Sequence, residues 1–104
     1  MKDANDPGEE WQPDLAVVSR FLAKLWRPDG EPARELSRSR LQAAVGLNYD
    51  RFVRYLDAMM AKGLVLNGLD TKGQSVLRLS PAGRDAYARL ATWLREVFGD
   101  DRLL

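Results

Sequence analysis

Two arginines one helical turn apart have the residue type and spacing best suited to a chemical role. Arg51 and Arg54 stand three positions apart, so in a helix both project from one face. A guanidinium group can pair with guanine O6 and N7 through two hydrogen bonds, or hold a phosphate. The spacing therefore favours contact with a nucleic acid. The other interpretation is a solvated face on which Asp50 and Arg54 form an ordinary surface ion pair; Asp50 and Asp57 both repel phosphate.

The opposite side of this segment is apolar, which indicates a helix packed on a core. We predict a helix over 49–62 with Asn48 as its N-cap. At 100° per residue the apolar side chains fall together: Phe52, Val53, Leu56, Met59 and Met60. The outer side carries Asp50, Arg51, Arg54, Ala58 and Ala61, with Tyr55 and Lys62 at its margin.

Polar side chains elsewhere could add contacts to phosphate. Arg38 and Arg40 lie in the preceding helical segment and could fix the position of a duplex without reading its sequence, or could simply be surface charge. Lys72 and Gln74 fall in a predicted turn that could reach a minor groove or the backbone. The predicted DNA-contacting set is Arg38, Arg40, Asn48, Tyr49, Arg51, Arg54, Tyr55, Lys72 and Gln74.

Helix signals place two further helices before this segment. Pro13 can begin the first helix, with Asp14 complementing its positive end; its inward residues are predicted to be Leu15, Val18, Phe21, Leu22, Leu25 and Trp26. The second helix is predicted over 36–45, with Leu41, Ala44 and Val45 inward and Gly46 as a left-handed stop. The three residues 46–48 then form the joint of a helix-turn-helix.

A hairpin and a last helix follow. Gly63 ends the helix over 49–62, residues 64–66 and 75–79 are predicted strands, and the polar, glycine-containing stretch 67–74 is the loop between them. Ser80 and Pro81 supply an N-cap and a proline at the first helical position. The last helix is predicted to end at Phe98, with Gly99 as its stop.

The apolar arc of the last helix is about 160° wide, broader than one core-facing stripe requires. We predict a homodimer whose interface contains Tyr87, Leu90, Ala91, Leu94 and Phe98, with Ala86 and Trp93 facing the core. The other interpretation is that the first helix of the same chain covers the whole arc.

Composition narrows the classes of function. The chain has 104 residues, no cysteine and no histidine, which removes disulfides, thiolate chemistry and the usual general base near neutral pH. Paired acids, phosphate-binding glycine loops and metal-ligand spacings are missing from the sequence, so we predict no enzyme, no cofactor and no metal. No stretch suits a membrane span or a signal peptide, and a cytoplasmic protein is expected.

The net charge of +1 hides an uneven distribution. Residues 1–33 carry four basic and seven acidic groups, whereas residues 34–78 carry eight basic and four acidic groups. The positive charge thus lies where a helix-turn-helix and wing would meet phosphate. We predict a tail over 1–12, one domain over 13–99 with a wing over 64–79 and a C-terminal helix over 81–98, and a tail over 100–104.

The stretch LNYDRFVRYLDAMMAKGLVL (47–66), followed by LRLSPAGRDAYARL (77–90), resembles the small winged-helix transcriptional regulators of archaea and bacteria. The nearest likeness is to archaeal single-wing regulators with a dimerising last helix, and LSPAGR (79–84) resembles the matching junction in the MarR and PadR families. The resemblance implies an α+β winged helix-turn-helix whose helix over 49–62 enters a major groove.

Together these observations predict a homodimeric regulator of transcription that binds double-stranded DNA at the nucleoid; they identify no small-molecule effector. Two alternatives stay open. One is a winged-helix adaptor that binds protein and not DNA, favoured by the near-neutral charge and the broad apolar helix face. The other is a nucleoid protein that binds DNA without sequence preference.

Overall fold

Four helices and a two-stranded antiparallel sheet make up residues 11–28 and 30–99, the part of the chain that this computed structural model describes. The helices are α1 (Leu15–Leu25), α2 (Arg38–Val45), α3 (Tyr49–Ala61) and α4 (Pro81–Phe98), and the strands are β1 (Val65–Leu69) and β2 (Ser75–Leu79). The predicted α+β winged-helix class is confirmed. Residues 1–10 of the predicted N-terminal tail and the predicted tail over 100–104 lie outside the described residues.

The caps that begin α3 and α4, and the glycine that ends α2, follow local sequence signals. The Asn48 side chain accepts the Arg51 N–H at 2.9 Å, and the Ser80 hydroxyl accepts the Gly83 N–H at 2.9 Å. Gly46, at φ 73°, ends α2 in the left-handed region that a side chain disfavours. These predicted caps and the predicted stop at Gly46 are confirmed.

The first two helices begin later than predicted, because each is capped by a polar residue inside the predicted range. Asp14 accepts the Ala16 N–H at 2.8 Å, so α1 starts at Leu15 and Pro13 lies outside it. Ser37 accepts the Arg40 N–H at 3.2 Å and α2 starts at Arg38. The prediction that α2 begins at 36 was wrong, since Leu36 instead forms an antiparallel bridge with Leu77.

That bridge makes β2 the middle of a three-membered ribbon. Leu36 donates to the Leu77 carbonyl at 3.1 Å and accepts from the Leu77 N–H at 2.7 Å. On its other edge β2 pairs with β1, in a register that places Val65 opposite Leu79. β1 extends to Leu69, three residues past the predicted strand, and the loop therefore shrinks to residues 70–74.

The core lies between α1, α2, α3 and the ribbon. Its fully buried large side chains are Phe21, Leu25, Leu41, Val45, Phe52, Leu56, Val65 and Leu77. In the first two helices, two residues predicted to face inward are exposed: Leu15, which lies in the first turn of α1 at the edge of the buried stripe, and Ala44 in α2. Val17 takes the buried place in α1 instead. No helix in the described ranges has the length and apolarity needed to cross a membrane.

The junction between β2 and α4 is built from close contacts. Ser80 is buried, and its hydroxyl donates to the Gly63 carbonyl at 2.5 Å while its own N–H donates to the Leu64 carbonyl at 2.9 Å. A Cβ at Gly83 would clash with the Leu64 carbonyl oxygen. The sequence LSPAG therefore ties the end of α3 to the start of α4.

Candidate nucleic-acid interface

The outer side of α3 presents a polar, partly cationic surface. Arg51 and Arg54 are exposed, as are Asp50 and Asp57, and Tyr49 at the helix start is 63% exposed. The apolar side is buried as predicted, with Phe52, Leu56 and Met59 in the core and Val53 and Met60 packed against it. The predicted amphipathic character of this helix is confirmed, and its two arginines face solvent.

The turn before α3 is held by two side chains that satisfy free carbonyls. The Arg20 guanidinium, from α1, donates to the Val45 carbonyl at 2.6 Å, and the Gln42 amide donates to the Leu47 carbonyl at 3.2 Å. Leu47 itself is buried. Because helix-end carbonyls without partners are costly, these bonds stabilise the turn between α2 and α3.

Both exposed arginines lie over aromatic rings. The Arg51 guanidinium carbon is 6.0 Å from the centre of the Tyr55 ring, and that of Arg54 is 5.0 Å from the centre of the Trp11 ring. Within the described residues no ion pair joins Asp50 to Arg54. The Asp50–Arg54 surface ion pair, which was the alternative interpretation of the sequence, is therefore not formed, and the two arginines make cation–π contacts instead.

Tyr55 and Trp11 correct two predictions. Tyr55, predicted to contact DNA, is only 4% exposed, because Trp11 packs edge-on against its ring at 4.9 Å and its hydroxyl accepts the Asp14 N–H at 2.8 Å. Trp11 was predicted to lie in a tail but is half-buried against the core. A large apolar ring three residues before a helix cap was the signal that could have shown this.

The remaining predicted contacts divide between α2 and the wing. Arg38 and Arg40 are exposed in the first turn of α2. Asn48 uses its side-chain oxygen as the cap of α3, so its contribution is to the geometry of that helix end. Arg40 lies with Lys72 and Gln74 on the wall of a polar concavity of about 330 Å³ between α2 and the wing.

The wing loop is organised by Asp70. Its carboxylate accepts the N–H groups of Lys72 at 2.8 Å and Gln74 at 2.9 Å, and Gly73 turns the chain at φ 80°. The carboxylate charge is thus directed at the loop backbone, and Lys72 and Gln74 are exposed. The structure brings these two residues to the same side of the domain as Arg40.

A second unpartnered surface lies on α4 and differs from the predicted interface. Tyr87 and Ala91, predicted to meet a second chain, are buried within their own domain, because α4 packs on α1 and the Tyr87 ring lies 5.3 Å from that of Trp26. Leu90 and Leu94 are half-buried. Trp93, predicted to face the core, is 52% exposed; Val97 and Phe98 are 53% and 59% exposed.

Burial changes the acidity of one side chain of α4, Tyr87. Removal of the Tyr87 phenol from water raises its pKa above the ordinary value of 10.0, an effect that the Arg95 charge partly opposes.

Among the described residues no group of three or more carboxylate, histidine or cysteine side chains could hold a metal ion.

Solved structures share this arrangement of helices and wing. A MarR-family transcriptional regulator from Silicibacter pomeroyi DSS-3 superposes with a TM-score of 0.59 over 89% of the chain at 25% identity. A second MarR-family regulator from Silicibacter pomeroyi gives 0.57 over 81% at 30% identity. The chain has the winged-helix fold of the MarR-family regulators. This winged helix spans 60% and 57% of the lengths of those two proteins.

The winged helix also matches more distant proteins. The PcaV transcriptional regulator of Streptomyces coelicolor, solved with its natural ligand, superposes with a TM-score of 0.58 over 91% of the chain and 66% of its own length at 23% identity. No protein-family model matches the sequence, and no match is found among curated proteins.

Proposed function

We propose that this winged helix is a DNA-binding transcriptional regulator that places α3 in the major groove. The observation that carries the proposal is the pair of exposed arginines, Arg51 and Arg54, in the N-terminal half of a helix whose other side is core. Arginines so placed can read guanine edges or hold phosphate.

The surroundings of α3 suit a duplex. Arg38 and Arg40 in α2, and Lys72 with Gln74 in the wing, are exposed groups that can bind phosphate on either side of the groove that α3 enters. Tyr49, exposed at the helix start, can donate a further hydrogen bond. The structural neighbours described as transcriptional regulators support the same role, and we propose a regulatory, non-catalytic protein acting at the nucleoid in the cytoplasm.

We further propose that two copies associate through α4, with an interface shifted from the one predicted from sequence. Its exposed apolar residues are Trp93, Val97 and Phe98. Leu90 and Leu94 are half-buried and contribute their exposed parts, whereas Tyr87 and Ala91 pack within their own domain and support the helix from there. A two-fold dimer would present two α3 helices to a two-fold-related DNA site.

A salt-titrated mobility shift on fragments of the source genome tests the function. We expect a subset of fragments to be retained, with the association constant falling steeply as salt rises, since lysines and arginines release counterions from phosphate. Equal retention of all fragments would instead indicate a nucleoid protein without sequence preference. Absence of binding at every salt concentration would overturn the proposal and favour the protein-binding adaptor.

A further inference from the structure

The two exposed arginines of α3 rest on two rings that touch each other. We call Trp11 and Tyr55 the aromatic platform. Arg51 lies over Tyr55, Arg54 lies over Trp11, and the rings meet edge to face with centroids 4.9 Å apart. The platform therefore connects the segment before α1 to both candidate DNA-reading side chains.

The platform is fixed to the core. Tyr55 stacks on Phe21 with ring centroids 6.0 Å apart, and Phe21 is fully buried. The Tyr55 hydroxyl accepts the N–H of Asp14, the residue that caps α1. Trp11 is thus held between a buried ring and a capped helix start, at a defined place beside α3.

A guanidinium stacked on an indole keeps the groups that recognise DNA. In a stacked pair of this kind the contact uses the face of the cation, while its N–H donors lie in its plane and stay available for guanine or phosphate. Tryptophan gives the strongest such contact among the aromatic residues. Stacking also restricts the rotamers of a long side chain, so less conformational entropy is lost when that side chain meets its target.

We propose that Trp11 is a positioning residue for DNA recognition: it holds the Arg54 guanidinium at the outer side of α3 in an orientation ready for the duplex. The inference rests on the proposed function and extends it, because it makes the segment before α1 part of the recognition surface. A different role for Trp11 is to cover the Tyr55 ring and stabilise the domain, with no effect that depends on Arg54.

A double-mutant cycle in the full chain separates these roles. Trp11→Ala is combined with Arg54→Ala, and DNA affinity is measured on a retained genomic fragment. We expect Trp11→Ala alone to weaken binding roughly 2- to 5-fold, the range of an exposed cation–π contact, and to have no further effect once Arg54 is alanine. Trp11→Phe, whose ring makes a weaker cation–π contact, is expected to have a DNA affinity between those of the unaltered protein and Trp11→Ala.

Matched controls make each outcome decisive. In an Arg89→Ala background, where the lost arginine is an exposed one paired with Asp85 on α4, Trp11→Ala should keep its full effect on affinity. An equal loss in the Arg54→Ala background, or no loss in the unaltered one, would overturn the role of Trp11 while leaving DNA binding intact. No binding by the unaltered protein would overturn both proposals. Thermal melting of each variant confirms that the compared proteins are folded.

Discussion

The outer surfaces of α3 and α4 differ in chemistry, although both helices bury one apolar stripe in the same core. α3 turns Arg51 and Arg54 to solvent beside Asp50 and Asp57, and its exposed aromatic residue, Tyr49, carries a hydroxyl. α4 turns Trp93, Val97 and Phe98 outward near its end. Trp93 and Phe98 also contact each other edge to face, with centroids 6.2 Å apart.

This difference is the reason that we propose different partners for the two surfaces. Arginines held over rings suit a polyanion, whose charge and hydrogen-bond acceptors they can meet. Exposed apolar side chains are stabilised when another apolar surface covers them and removes them from water. A second copy of α4 provides such a surface by symmetry. Changes on α3 should therefore affect DNA binding without changing the oligomeric state, and changes on α4 should act first on association.

The largest effect is expected from removing both α3 arginines. Arg51→Ala with Arg54→Ala should cost about 2–6 kcal/mol of binding free energy, since each good bidentate contact is worth about 1–3 kcal/mol. The oligomeric state should not change, and the melting temperature should fall only by the loss of two exposed cation–π contacts, because neither side chain is buried. Fluorescence anisotropy with a labelled fragment measures the loss, and Arg89→Ala serves as the arginine control. Retained affinity would remove α3 from the interface.

The next effect concerns α4. Phe98→Ala should weaken self-association by about 2 kcal/mol, as expected for an aromatic side chain that is an energetic hot spot of an interface. Sedimentation equilibrium would follow the shift toward the monomer mass. Leu69→Ala is the matched control, because Leu69 is a 68% exposed apolar residue of the wing. If the unaltered protein already sediments as a monomer at tens of micromolar, the α4 interface is wrong.

A smaller change, in the stability of the domain, should come from Ser80, the residue that connects the end of α3 to the start of α4. Ser80→Ala removes the cap of α4 and the hydroxyl bonded to the Gly63 carbonyl, and we expect about 1–2 kcal/mol less stability. Urea unfolding measures this, with Ser75→Ala as the exposed-serine control. A loss no greater than the control would show that the junction does not depend on the Ser80 hydroxyl.

The smallest effect should appear at high pH. The pKa of Tyr87 is raised in the folded state by burial, so the folded protein keeps this proton when the unfolded chain begins to lose it near pH 10. The contribution to stability is complete below pH 10 and is lost as the pH rises through the folded pKa. Urea unfolding at pH 8 and 11 should show a steeper decline for the unaltered protein than for Tyr87→Phe. Equal declines would contradict the burial of the phenol beneath α1.

Features set by short-range interactions could be predicted from the sequence. The caps at Asn48 and Ser80 and the left-handed glycine at position 46 depend on bonds within four residues. The same is true of the amphipathic pattern of α3. This local information also supported the winged-helix class and the choice of Arg51 and Arg54 as exposed residues.

Features set by distant contacts were missed. Tyr55 is covered by Trp11 and bonded to Asp14, which is 41 positions away, and Tyr87 is covered by Trp26. Leu36 pairs with Leu77 rather than joining α2. An apolar arc on a helix does not reveal which part its own domain covers, and for this reason Trp93 and Tyr87 were assigned to the wrong sides of α4.

The most direct test of the division between α3 and α4 is amide chemical-shift mapping with a retained DNA fragment. The largest perturbations should fall on residues 49–54, with smaller ones on residues 38–40 and 72–74. Residues 93–98 should be unaffected at a protein concentration at which the unbound chain is already dimeric. Perturbations centred on α4, or none on α3 in the presence of saturating DNA, would contradict the assignment of α3 as the DNA-reading helix.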